Sequence, residues 1–149
     1  DTFETATTWD RFEAFYKGVR KDVAQAVQQA TGHPAFVSCR FTHIYPDGPA
    51  PYFTIAALGS AQGDVASALA AWREIKQAAN EAVIMHGGTI THHHAVGRDH
   101  RPGYEQETPA LYRQMLQAAK ASVDPQGILN PGVLIDPRDH QVGITGALG

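Results

Sequence analysis

The run Phe36-Val37-Ser38-Cys39-Arg40-Phe41-Thr42-His43-Ile44-Tyr45-Pro46-Asp47-Gly48-Pro49-Ala50-Pro51-Tyr52-Phe53-Thr54-Ile55 decides the fold. Two β-prone segments, 36–45 and 52–58, flank Pro46-Asp47-Gly48-Pro49, whose composition is that of a turn. The spacing predicts an antiparallel pair. Side chains alternate along a strand, so Val37, Cys39 and Phe41 share one face and Ser38, Arg40 and Thr42 the other. In the second strand Phe53 and Ile55 stand against Tyr52 and Thr54. The apolar set needs a cover, which leaves Arg40, Thr42, Tyr52 and Thr54 on a polar face that invites a ligand.

Helices on both sides of this hairpin supply the cover. Trp9, Phe12, Tyr16, Val19, Val23 and Val27 recur every three or four residues, and Gly32 follows as a stop, predicting a helix over 9–30. Asp64 caps a second helix whose stripe is Val65, Leu69, Trp72, Ile75, Ala79 and Val83, ending near Gly87-Gly88. A short third strand is expected over 89–95. After a polar loop bearing Gly and Pro, Thr108-Pro109 opens a third helix that runs to about Val123. The order α-β-β-α-β-α predicts an α+β fold, an antiparallel sheet with helices packed on one face in a ferredoxin-like lobe. Residues 1–137 are read as one domain and 138–149, which lack a strong periodic pattern, as a C-terminal tail.

Composition narrows the function classes. With 43% hydrophobic and 18% charged residues in 149, the chain is that of an ordinary globular domain with one core. A formal net charge of −3 argues against nucleic-acid or anionic-membrane partners. No apolar run is long enough to span a bilayer and no signal peptide opens the chain, so a cytoplasmic location is expected. The absence of an initiator Met reads as a piece of something longer. Cys39, the single cysteine, is expected to be a buried inert thiol.

The densest chemistry is His92-His93-His94. Strict alternation places Thr91 and His93 on the polar face beside Tyr52, and His92 and His94 on the other. Burying two imidazoles without partners would cost roughly 1–3 kcal/mol per unpaired group. The strand is therefore expected to end or bulge within the run, letting a second histidine join the site. Tyr52 beside imidazoles is a candidate proton donor, and Arg40 a candidate anion clamp. A metal site is the rival, with His86 or His100 as further nitrogens. Adjacent histidines point apart, however, and no His-x-x-x-His pair is present, so no metal is expected.

Gly87-Gly88-Thr89-Ile90-Thr91-His92-His93-His94-Ala95-Val96-Gly97 and Val123-Asp124-Pro125-Gln126-Gly127-Ile128-Leu129-Asn130-Pro131-Gly132-Val133-Leu134 together resemble the C-terminal end of FAD-linked oxidases of the vanillyl-alcohol-oxidase type. The triple histidine and Tyr52-Phe53 are similar to the branch typified by alkyldihydroxyacetonephosphate synthase. The resemblance spans roughly Val37 to Leu134, with 1–6 also similar. It implies FAD, held mainly by an N-terminal domain of the same polypeptide, with the flavin lying against the polar sheet face and a small-molecule substrate beside it. It implies catalytic roles in proton handling for Tyr52, His93 and His94 and contacts to the cofactor from His92 and Asn130; Arg40, read from the residues as an anion clamp or a structural ion-pair partner, is the candidate for substrate binding. The reaction implied is a flavin-N5-mediated exchange of acyl for alkyl in ether-lipid synthesis. The loop Ala95-Val96-Gly97-Arg98-Asp99-His100 is closer to bacterial oxidase-like members, which keeps oxidation of a 2-hydroxy acid or alcohol as the alternative. A non-catalytic His-cluster module for a metal or small ligand is the alternative of another class. Alone, the chain is expected to be inactive, with its uncovered face open to homodimer formation.

Overall fold

The computed structural model describes residues 1–59 and 63–136. The chain divides into two compact units, Asp1–Glu107 and Thr108–Gly149. The proposed tail, 138–149, lies outside the described residues.

The first unit is built on a three-stranded antiparallel sheet of order β1-β3-β2, with β1 Thr2–Glu4, β2 Phe36–Ile44 and β3 Pro49–Ala56. The hairpin forms where the turn residues predict it, closed by Tyr45 N–H donating to the Gly48 carbonyl at 2.9 Å. Pro49 and Pro51 lack an N–H to donate, but their carbonyls still join the ladder, accepting from Thr7 and Thr5 N–H at 3.3 and 3.1 Å as the chain leaves β1. A Cβ on Gly48 would collide with the Thr7 carbonyl oxygen and lie 2.9 Å from Thr8 Cα. Both are backbone atoms that cannot rotate away. Gly48→Ala is therefore expected to cost about 1–3 kcal/mol, read from the urea midpoint at unchanged slope.

Helix α1, Trp9–Thr31, buries Phe15, Val19, Val23 and Val27 and ends on Gly32, whose φ of 76° and N–H to Gln28 make a left-handed cap. Helix α2, Val65–Met85, starts on Asp64, which accepts from Ser67 N–H at 2.8 Å. Together α1 and α2 cover Phe3, Val37, Phe53 and Ile55 on one sheet face. The apolar stripes are narrower than periodicity suggested. Val65, Leu69, Trp9 and Phe41 are exposed, and Phe41 packs edge-on against Trp9 and Phe12 at the margin of the sheet.

The strand expected over 89–95 does not form. Its N–H groups are taken by carboxylates, Ile90 by Glu107 at 2.7 Å and His92 and His93 by Glu4 at 3.0 Å each. The third strand is instead β1, three residues long. The polar loop holds a short helix, α3, Arg101–Glu107. The order is therefore β-α-β-β-α-α-α.

In the second unit α4, Ala110–Val123, leads into buried Asp124. That carboxylate accepts from Ile128 and Leu129 N–H at 3.0 and 3.1 Å and from Lys120 Nζ at 2.8 Å. The ammonium of Lys120 and the two N–H bonds outweigh burial and hold the Asp124 carboxyl below its usual range. The Asp-Pro-x-Gly element is thus a self-contained turn. Asn130 follows it with φ 47°, a left-handed conformation that Asn tolerates.

Candidate functional site

Register decides which side chains share the polar face. Thr2 pairs with Thr54, Glu4 with Tyr52, and Arg40 with Tyr52, so Thr2, Glu4, Arg40, Tyr52 and Thr54 project to the side away from α1 and α2. A bulge between Phe41 and His43 adds one more. Without it His43 would face the helices; with it His43 opposes Ala50 and lies on the polar side with Thr42.

Glu4 is the centre of the site, and its side chain is fully buried. The segment 89–94 crosses over it, anchored where Thr5 Oγ1 donates to the Thr89 carbonyl at 2.6 Å and Thr89 N–H to Ala6 at 3.0 Å. Besides the two backbone N–H groups, Glu4 Oε1 meets Nδ1 of His92 and Nδ1 of His93, each at 2.8 Å, and the Thr42 hydroxyl at 3.4 Å. Burial pushes the Glu4 carboxyl up. Hydrogen bonds from the His93 backbone, from both imidazoles and the nearby His92 charge more than offset this, so the group titrates below its ordinary value.

The imidazoles form a contiguous group. His43 lies 5.2 Å from His92 and 5.3 Å from His93 between ring centroids, and His93 lies 4.5 Å from His94. His94 meets the Tyr52 ring edge-on at 5.7 Å. Arg40 stacks its guanidinium over that ring, 4.8 Å from the centroid. The Tyr52 hydroxyl donates to Thr2 Oγ1 at 3.0 Å. The Nε2 of His92 is 3.1 Å from the Tyr45 hydroxyl. A cavity of about 370 Å³ opens beside His92, with Thr7, Arg11, Tyr45 and Thr89 in its walls.

Of the residues picked from sequence, Tyr52, His93, His94, His92 and Arg40 come together on this face. Alternation had put His92 and His94 on the opposite side; because 89–94 is a loop rather than a strand, all three imidazoles reach the polar face. Asn130, the candidate cofactor contact, belongs to the second unit, where it stands in a left-handed conformation after the Asp124 turn. His86 and His100 stay out of the cluster, paired with Asp22 at 2.7 Å and with Asn80 at 3.2 Å. Glu4, His43 and Tyr45 were not foreseen. Cys39 is half-buried rather than buried, and burial pushes its thiol up to about 11, which leaves it inert at neutral pH.

Two kinds of group fit this face. One donor atom each from Glu4, His43, His92 and His93 lies within 4.8 Å of all the others, a set suited to a divalent transition metal. The group of Tyr52, His94 and Arg40 beside them, offering aromatic surface, movable protons and a positive charge, suits a planar heterocycle such as a flavin. Among the described residues no helix is long and apolar enough to cross a membrane.

The chain is similar to alkyldihydroxyacetonephosphate synthases: 31% identical over 137 residues to that of Caenorhabditis elegans, and 28% over 135 residues to that of Trypanosoma brucei brucei. Each alignment covers 91% of this chain, but only 22% and 21% of the relative. The chain thus spans about a fifth of the length of the curated relatives it matches. A solved alkyldihydroxyacetonephosphate synthase structure shares the fold with a TM-score of 0.55 at 19% identity, over 88% of this chain and 20% of that one. Residues 1–134 match the family described as FAD linked oxidases, C-terminal domain, and the chain belongs to that family.

Proposed function

We propose that the polar sheet face is one wall of a flavin-dependent active site, in which this chain handles protons while FAD is bound mainly by an N-terminal domain of a longer polypeptide. The observation that carries the reading is the grouping of Tyr52 with the imidazoles of His43, His92, His93 and His94 on a single face, two of them held by one buried carboxylate. When bound, FAD supplies the electrophilic or hydride-accepting atom. Tyr52 and His94, edge to face, each offer an exchangeable proton to a substrate on this face, and His93 adds a further base beside them. Arg40 holds the Tyr52 ring in place and offers a positive charge to an anionic group such as a phosphate.

The reaction favoured is the exchange implied by similarity to the synthases. A dihydroxyacetone phosphate carbon loses its acyloxy group as a fatty acid and gains the oxygen of a fatty alcohol, whose proton is taken by the His93–His94–Tyr52 group. Oxidation of a 2-hydroxy acid or alcohol would use the same base to take the hydroxyl proton. In the longer protein with its FAD, Tyr52→Phe and His93→Ala are expected to lower kcat by roughly a hundredfold with flavin content unchanged. Turnover of acyl dihydroxyacetone phosphate with a fatty alcohol, against reduction of the flavin by 2-hydroxy acids, distinguishes the two chemistries. Full activity in both variants would refute the roles assigned.

A second reading has its own observation, the four donors Glu4, His43, His92 and His93. They would make the face a metal-binding module without catalysis. One equivalent of zinc in the purified protein, lost on His43→Ala, together with indifference of turnover to Tyr52→Phe, would favour it.

A further inference from the structure

Two imidazoles share one carboxylate oxygen, and this fixes where their protons are. A carboxylate only accepts, so the Nδ1 atoms of His92 and His93, each 2.8 Å from Glu4 Oε1, must both carry hydrogen. In a neutral ring the lone pair is then on Nε2. The backbone N–H groups of the same two residues bind the other oxygen, Oε2, at 3.0 Å each, so that the carboxylate is gripped at both oxygens and cannot turn.

The two Nε2 atoms then differ in what they meet. That of His92 is 3.1 Å from the Tyr45 hydroxyl, which must donate to it. His92 is therefore held at both ends, with its basic nitrogen already engaged. Among the described residues the His93 ring is hydrogen-bonded at Nδ1 alone, and its side chain is 41% exposed, against 22% for His92. Its ring meets His94, which meets Tyr52. One buried acid thus divides a pair of adjacent histidines into a fixed strut and a base.

We propose that Glu4 is a positioning residue that locks both imidazoles in the Nδ1–H tautomer, making His92 structural and leaving His93 Nε2 as the proton acceptor of the site. This rests on the catalytic reading of the polar face given above. Glu4 itself touches neither reacting atoms nor cofactor; its effect passes through the ring it orients. The neutral imidazole of a free histidine favours hydrogen on Nε2, so a locked Nδ1–H form is a distinguishable state.

The test is nitrogen NMR of the histidine-15N-labelled protein above the range in which imidazoles titrate. The expected result is a pyrrole-type Nδ1 and a pyridine-type Nε2 for both His92 and His93. In Glu4→Gln the amide oxygen is claimed by the two backbone N–H groups, which must donate, so the NH₂, which cannot accept, faces the rings and is expected to return the His93 ring to a mixture dominated by Nε2–H. If Glu4→Gln does not fold, Tyr45→Phe serves instead: it should move the His92 Nε2 resonance alone and leave His93 unchanged. A pyrrole-type Nε2 on His93 in the unaltered protein, or an Nδ1–H tautomer that persists in folded Glu4→Gln, would overturn the proposal. The catalytic reading fails separately. If His93→Ala keeps full turnover while the tautomers are as stated, the function assigned to the face is wrong and the lock on the rings stands.

Discussion

Glu4→Ala is expected to lower the stability of the first unit by about 3–5 kcal/mol, the cost of removing one partner from a buried charged network. The carboxylate accepts from two backbone N–H groups, two imidazoles and a threonine hydroxyl. Alanine leaves all five without that acceptor and opens a void where the side chain was wholly enclosed. Part of the loss is recovered, because His93 is already partly exposed and water can reach its ring. The loop 89–94 keeps its anchors to Thr5, Ala6 and Glu107, so the sheet and helices should persist while the amides of His92 and His93 lose protection. Denaturant unfolding with hydrogen exchange at those two amides checks both parts. A loss below about 1 kcal/mol would mean that the carboxylate contributes no more than a surface charge.

Acid should erase the same difference. Glu4 titrates lower in the folded state than in the unfolded chain, so its contribution is complete above the ordinary carboxylate range and is lost as the pH falls through the lower folded value. Parent and Glu4→Ala curves of stability against pH should therefore converge on acidification and stay apart at neutral pH. Curves that stay parallel throughout would show that ionisation of Glu4 is not what holds the loop.

How much of this is legible in the sequence depends on the range of the forces involved. Turn residues 46–49, the Gly32 stop and the Asp64 cap act over a few positions, and the elements they bound follow from them. So does the opposition of Arg40 and Tyr52 to the apolar face, which depends only on strand parity. The histidine segment reads as a strand because nothing local to it shows that Glu4, some 88 positions away, claims its N–H groups. His43 was missed for a related reason: a one-residue bulge reverses parity, and no local residue announces it. The seven residues of α3 contain Pro102 and Gly103, which read as a loop, although a Cβ at Gly103 would strike Ile90 and the glycine is what lets that helix approach the segment. Glu4 had a faint signal in Thr2-Phe3-Glu4, polar-apolar-polar, but three residues are too few for a period to stand out.

Phe53→Ala should cost about 3–5 kcal/mol, as large as any single change in the chain, while leaving the chemistry of the polar face intact. Phe53 is fully buried in the central strand, and its ring stacks on Phe3 at 4.8 Å with 9° between planes. Phe15 meets it edge-on at 6.3 Å and Tyr16 lies over it at 6.2 Å. These neighbours come from β1 and α1, both far from Phe53 in sequence, so the ring joins the N-terminal elements to the central strand. The adjacent Tyr52 points to the opposite side, so its bond to Thr2 and its contact with His94 do not pass through the cavity. The contrast is Phe41, on the same nominal face but 40% exposed at the sheet margin, where truncation should cost well under half as much. Thermal and denaturant unfolding of the two variants measure the difference. Equal losses would mean that the core runs as far as the hairpin end. A loss confined to Phe53 would show that Phe3 and Glu4, successive residues of β1, serve separate ends: one closes the core and the other holds the histidines.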